Sequence, residues 1–261
     1  MKKRLTRRWS SVLAALEQGR AVFSGRVIGM VQINLEQREI TIKIVYYGPA
    51  LSGKTTNLQA AHKILDPNIR GRLMVLDTSD DRTLFFDLMP VYFKTSSGFT
   101  VKVKLFTAPG QVLHNSTRRV VLQGADGVVF VADSQKSLSQ ANNESWRGMA
   151  SNLKVNGIDI NEVPLVIQFN KRDLPEIRPD SEIAEVADKG KEPVFKAVAI
   201  RGEGVMETLD GILRLTWRGM NARFGLEEKL QIQEDAFIKH ILKDSGLPGA
   251  SRNLQSGGDL R

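Results

Sequence analysis

The chain has 261 residues, 41% hydrophobic and 25% charged, with no cysteine and a formal net charge of +8. Such a composition supplies a full apolar core for one medium globular unit with tails, and the lack of cysteine excludes disulfides and thiolate metal sites and fits a reducing compartment. The charge is lopsided: Lys2, Lys3, Arg4, Arg7, Arg8, Arg20 and Arg26 against Glu17 put +6 on residues 1–29 and leave +2 from Met30 onward, so the body argues for no nucleic-acid partner.

No apolar run approaches the roughly 18–20 residues of a membrane span. The patch SVLAAL after the basic start stops at Glu17-Gln18 and makes a poor signal peptide. Residues 1–29 have three readings: a disordered basic arm, a basic helix that touches an acidic surface, or an extension foreign to the natural protein, because Met30 stands in frame before the first strand pattern. Val31 to Leu35 is a short strand candidate, and Glu39 to Tyr47 (EITIKIVYY) a longer, β-branched one. A Gly-rich turn leads into a helix from about Lys54 to Leu65, stopped at Asp66-Pro67. Leu84 to Phe93 and Phe99 to Phe106 flank Thr95-Ser96-Ser97-Gly98 and read as a hairpin.

Gly127 to Ala132 (GVVFVA) and Val163 to Phe169 (VPLVIQF) are nearly all apolar, as suits strands covered on both faces. A polar helix, about Leu138 to Asn156, lies between them. Pro193 to Val198 is the last strand and Gly204 to Met220 the last helix of this alternation. The pattern predicts an α/β fold, a mostly parallel central sheet with helices on both faces. Beyond Phe224-Gly225, apolar residues at 226, 230, 237, 238, 241 and 242 form a helical stripe, which Gly246 and Pro248 stop. The stripe either packs back on the domain or binds another protein; packing is favoured, because an unpaired apolar stripe is a liability in a soluble chain. The closing SRNLQSGGDLR is expected to be disordered.

The strongest chemical signal is Gly48-Pro-Ala-Leu-Ser52-Gly53-Lys54-Thr55-Thr56, a G-x-x-x-x-G-K-[ST] loop between a strand and a helix. Backbone amides of such a loop cradle α- and β-phosphates, the lysine reaches the β/γ oxygens, and the Thr55 hydroxyl binds Mg²⁺. The second signal is Asn170-Lys171-Arg172-Asp173, directly after the strand VPLVIQF. A carboxylate at Asp173 can accept from the guanine N1–H and exocyclic amine, a pair that adenine lacks. Lys171 can lie along the base, and Asn170 can tie segments together. With the phosphate loop, this motif favours GTP over ATP. Ala199 is the expected backbone donor to the guanine oxygen.

The stretches IVYYGPALSGKTTNL, DDRTLFFDLMP, TAPGQVLHN, GADGVVFVADS and VIQFNKRDLP resemble the MglA-like bacterial small GTPases of the Ras superfamily, which act in cell polarity and gliding motility. The resemblance runs from Met30 to about Met220 and implies a P-loop small GTPase (G domain). The expected division is an extension over 1–29, a GTPase domain over 30–224, and a helix with a tail over 225–261. Small GTPases commonly carry Asp-x-x-Gly-Gln where this chain has Thr107-Ala-Pro-Gly110-Gln111. The resemblance implies that threonine is the family's residue here. Gln111 is then the residue that orients the attacking water, with Gly110 beside it.

In the polar segment DTSDDRT, the resemblance implies that Arg82 is an arginine finger supplied in cis and that Thr83 meets Mg²⁺ and the γ-phosphate. By residue type alone, Arg82 is a solvated loop arginine beside Asp80 and Asp81, and Thr78 rivals Thr83. His114 is expected at the surface. The resemblance also implies GTP and GDP as substrate and product, Mg²⁺ as cofactor, and slow hydrolysis until a Roadblock-fold (MglB-like) activating protein binds. It implies polarity or motility effectors, and a chain monomeric alone. The expected location is the cytoplasm, with recruitment to a pole or membrane by partners. No lipid anchor is expected, since residue 2 is lysine and cysteine is absent. A competing reading is a non-catalytic nucleotide-binding scaffold, for which Thr107 argues and against which Lys54, Thr55 and Gln111 argue.

Overall fold

The computed structural model describes residues 32–76, 86–110 and 115–242. Within them the strands are β1 (Gln32–Asn34), β2 (Glu39–Tyr47), β3 (Met74–Leu76), β4 (Phe86–Lys94), β5 (Thr100–Thr107), β6 (Gly127–Asp133), β7 (Leu165–Asn170) and β8 (Val194–Lys196). The helices are α1 (Lys54–Ile64), α2 (Asn115–Leu122), α3 (Ser139–Val155), α4 (Asp180–Lys189), α5 (Val205–Phe224), α6 (Leu226–Leu230) and α7 (Glu234–Leu242).

The strands form one sheet in the order β3-β4-β5-β2-β6-β7-β8, with β1 added to the start of β2. β5, β2, β6, β7 and β8 run parallel, whereas β4 is antiparallel to β5, β3 to β4 and β1 to β2. The hairpin expected at residues 95–98 joins β4 to β5, with Gly98 at φ +83°.

Burial follows the two kinds of strand. In the first half of β2, Ile40, Ile42 and Ile44 are buried and alternate with half-exposed Glu39, Thr41 and Lys43. The last three β2 residues and all seven of β6 are buried on both faces, as parallel strands between helix layers require. One core packs β2, β4 and β5 against α1, α5, α6 and α7, and the other packs β6 and β7 against α2 and α3. Under the P-loop helix, the buried Asn57, Gln168 and Thr208 side chains bond in series and tie α1 to β7 and α5.

β3, α2 and α4 went unforeseen. β3 is a three-residue edge strand, too short to show a period. α4 fully buries only Ile183, with Val186 half-buried beside it, and so narrow a stripe does not stand out in the sequence. The C-terminal stripe does pack back, in two helices rather than one. Gln231 adopts φ +55° and breaks it after Leu230. All six stripe residues are buried, and Phe237 meets Phe93 of β4 edge-on with ring centroids 5.3 Å apart. Among the described residues no helix is long and apolar enough to cross a membrane.

Candidate nucleotide site

The carboxyl ends of β2, β6 and β7 carry the motif residues to one edge of the sheet, where open α/β sheets bind ligands. β2 ends at Tyr47, and the chain turns through Gly48 to Gly53 before α1 begins. Gly53 has φ +98°, and a Cβ there would collide with Asn170 Nδ2, so glycine alone fits. Among the described residues no side chain caps α1, and its first turn holds no acidic residue. Its first amides and the positive end of its dipole are therefore uncompensated by protein side chains.

Lys54 is buried beside this turn, and its Nζ donates to the Gly48 and Pro49 carbonyls at 3.0 and 2.6 Å. Burial first, and then the Arg118 guanidinium, pull its ammonium down to about 8, against the opposing pull of Asp87. Ser52 is fully buried, and Thr56 is half-buried next to Thr55.

Asn170 spans two loops. Its Nδ2 donates to the Ser52 carbonyl (2.8 Å), and its Oδ1 accepts from the Ala199 amide (2.9 Å). The Ala199 N–H, expected to face a guanine oxygen, is thus spent on Asn170. Lys171 adopts φ +65° and pairs at 2.6 Å with Asp133, which is fully buried at the end of β6. Asp173 is partly exposed, with Arg201 at 3.6 Å. The loop after β7 therefore sits against the phosphate loop.

The Thr107 position has an unforeseen neighbour. Leu88 of β4 lies opposite Phe106 of β5, which brings Asp87 to Thr107. The buried Asp87 carboxylate accepts from the hydroxyls of Thr107 (2.9 Å) and Thr55 (2.6 Å) through the same Oδ2. The carboxylate absent from position 107 thus reaches the site from the adjacent strand. Asp87 was missed in the sequence, although an acid inside the apolar run LFFDLMP is a signal that could have marked it. Asp133, the partner of Lys171, was missed as well.

Gly110 closes on the P-loop so tightly that a Cβ would overlap Ala50. Gln111, His114, Thr78, Arg82 and Thr83 lie outside the described residues. Among the described residues no group of three or more His, Cys, Asp or Glu side chains is arranged to hold a metal ion. One carboxylate beside two hydroxyls still suits a hard divalent cation that takes its other oxygens from phosphate and water.

The Mutual gliding-motility protein MglA of Myxococcus xanthus is 45% identical to this chain over 183 residues, 70% of this chain and 94% of that protein. The chain belongs to the MglA family. Sheet, P-loop and MglA kinship together make the fold that of a P-loop small GTPase. Replication factor C subunit 3 of Schizosaccharomyces pombe matches at 30% over 90 residues, only 23% of that protein, too little to weigh against MglA. No family model matches the chain. The MglA match spans 70% of the chain, so at least part of its extensions lies outside the shared region.

Proposed function

We propose that this chain is a molecular switch that binds GTP and GDP, hydrolyses GTP, and controls motility or cell polarity through effectors. The observation that carries the reading is the Asn170 side chain, which holds the phosphate loop and the guanine-reading loop in one frame. The motility assignment rests on the name of the Myxococcus relative. The GTPase domain covers residues 30–224. Residues 225–242 act as part of its body, since they bury their apolar stripe against it. The protein works in the cytoplasm and reaches a pole or membrane through partners.

The chemistry follows from placement. Amides of the P-loop and the start of α1, with Ser52 and Thr56 alongside, hold the phosphates. The Lys54 ammonium moves from the Gly48 and Pro49 carbonyls to the β/γ oxygens. Asp173 accepts from the guanine N1–H and amine, and Asp133 holds Lys171 along the base. Thr55 and Thr83 would hold Mg²⁺, with the Asp87 carboxylate as an acceptor beside Thr55. Mg²⁺, when bound, neutralises charge on the β- and γ-phosphate oxygens. Gln111 orients the water in line with the γ-phosphate. Arg82, brought into the site by a Roadblock-fold activating partner, contributes about 10³–10⁵ in rate.

The scaffold reading draws on Thr107. The Asp87 carboxylate at 2.9 Å from the Thr107 hydroxyl weighs against it, because the acid is present by another route. Single-turnover hydrolysis of GTP, with ATP as control, decides between them. The switch predicts turnover specific to GTP, lost in Gln111→Leu and accelerated by the partner only while Arg82 is present. Tight GTP binding with no turnover even beside the partner would leave the scaffold standing.

A further inference from the structure

A pocket of about 50 Å³ opens at the end of the sheet opposite the P-loop, between the end of α5 and the loop entering β7. Ile158, Val163, Pro164, Met220 and Phe224 give it apolar walls, and Asp126 lines it immediately before β6. Asp126 is only 7% exposed. Its Oδ2 accepts from the Lys43 amide at 2.8 Å, whereas its Oδ1 is buried with no hydrogen-bond partner among the described residues. A buried carboxylate oxygen left unpaired is costly. Burial pushes this carboxyl up to about 7, although Lys43 of β2 and Arg223 of α5 act on it through space in the other direction. Glu162 and Arg223 are the other charged groups that line the pocket.

The strand register says what arrives there. β5 flanks β2 along its whole length, so β1 lies on the β6 side, with Gln32 opposite Thr41. The Asp126 amide donates to Lys43 O, two residues further along β2, which places Asp126 within about 10 Å of Gln32. The chain preceding Gln32 is the basic segment of net charge +6. Arg26 stands six positions before Gln32, and six residues span up to about 20 Å.

We infer that Asp126 and its pocket hold the Arg26 guanidinium, docking the amino-terminal arm on the face of the protein away from the nucleotide. The planar fork of arginine matches a carboxylate and supplies the donor that Oδ1 lacks. The arginine stem, with Val27 and Ile28 beside it, suits the apolar walls. Charge complementarity and tether length make the occupant this chain's own arm.

Tryptic cleavage of the full chain, followed by mass spectrometry, reads the docking. Cleavage after Arg26 is expected to be at least about tenfold slower than after Arg8 or Arg20, because a docked bond is cut only in its open fraction. Asp126→Asn keeps an acceptor for the Lys43 amide and should bring all three sites to one rate. Arg26→Gln should lower the thermal midpoint of the wild type and leave that of Asp126→Asn unchanged. Equal cleavage after Arg26 and Arg20 in the wild type, or protection that survives Asp126→Asn, overturns the inference. Should Asp126→Asn fail to fold, Arg26→Gln decides alone, and an unchanged midpoint in the wild-type background sinks the idea.

Discussion

Asp87 and Thr107 are bound to each other twice across β4 and β5: the Thr107 hydroxyl donates to Asp87 Oδ2 at 2.9 Å and accepts from the Asp87 amide at 2.9 Å. The acid that small GTPases commonly carry on one strand has a counterpart here on the neighbouring, antiparallel strand. A second bond, from Thr55 to the same oxygen, joins this pair to the P-loop helix.

Asp87→Asn should therefore slow GTP hydrolysis by about 10–100-fold and raise the Mg²⁺ concentration needed for half-maximal rate. That range matches the loss of a hydrogen bond to a charged group. Thr107→Asp alone sets two carboxylates against each other and should also be poor. The double variant Asp87→Asn, Thr107→Asp moves the charge to the other strand and should recover part of the rate. Single-turnover rates across a Mg²⁺ series make the comparison. A double variant no faster than the worse single variant contradicts the exchange.

Asp87 also marks what the sequence could tell. The phosphate loop and Asn170-Lys171-Arg172-Asp173 were legible because each is contiguous and sits at a strand end, where local spacing carries the chemistry. Asp87 and Thr107 are 20 residues apart, and only the β4–β5 register makes them partners. Asp133 stayed hidden behind Lys171 for the same reason. β6 and β7 were legible from apolar runs and β2 from its β-branched, half-alternating pattern, whereas α4 offers the core only Ile183 and Val186, too few to fix a period. The break between α6 and α7 rests on a single left-handed backbone at Gln231, which no side-chain pattern announces.

Lys54 should make nucleotide binding sensitive to pH. Its ammonium is depressed from 10.5 to about 8, chiefly by burial. Phosphate oxygens favour the charged form, so binding raises that value again. Below about 8 the proton is already present and affinity should be flat with respect to this group. Above it, each molecule of GDP bound takes up a proton, and affinity should fall by as much as about tenfold per pH unit. Calorimetry at pH 9 in buffers of different ionisation enthalpy measures the uptake. Lys54→Met should abolish both the uptake and most of the affinity. An uptake that persists in Lys54→Met would assign it to another group.

The C-terminal helices are expected to hold the body together. Phe237 is 2% exposed against Phe93 of β4. Arg214 of α5 pairs with Asp210 on its own helix and reaches Glu234 and Asp235 of α7, and Arg218 also joins Glu234. Phe237→Ala should cost about 3 kcal/mol in urea unfolding, whereas the exposed Glu228→Ala should stay within about 0.5 kcal/mol. A Phe237→Ala protein as stable as wild type would mean that α7 is not part of the cooperative unit.

Asn170 offers the sharpest separation of affinity from turnover. Both ends of its amide are used, by Ser52 and by Ala199, and neither partner belongs to its own strand. Asn170→Ala removes both bonds and leaves the Ser52 carbonyl and Ala199 amide without that side chain, a loss of roughly 2–3 kcal/mol in the alignment of the two loops. The affinities for GDP and GTP should fall together, by about 30–100-fold. Hydrolysis of GTP already bound should change far less, since Asn170 contacts neither Thr55 nor the Asp87–Thr107 pair. Asn170→Asp keeps an acceptor for Ala199 but sets a carboxylate against the Ser52 carbonyl, so it should bind no better than the alanine variant. Fluorescent-nucleotide dissociation rates beside single-turnover rates test both halves. A variant that binds normally and hydrolyses slowly would show that Asn170 acts on the γ-phosphate rather than on the frame that holds the nucleotide.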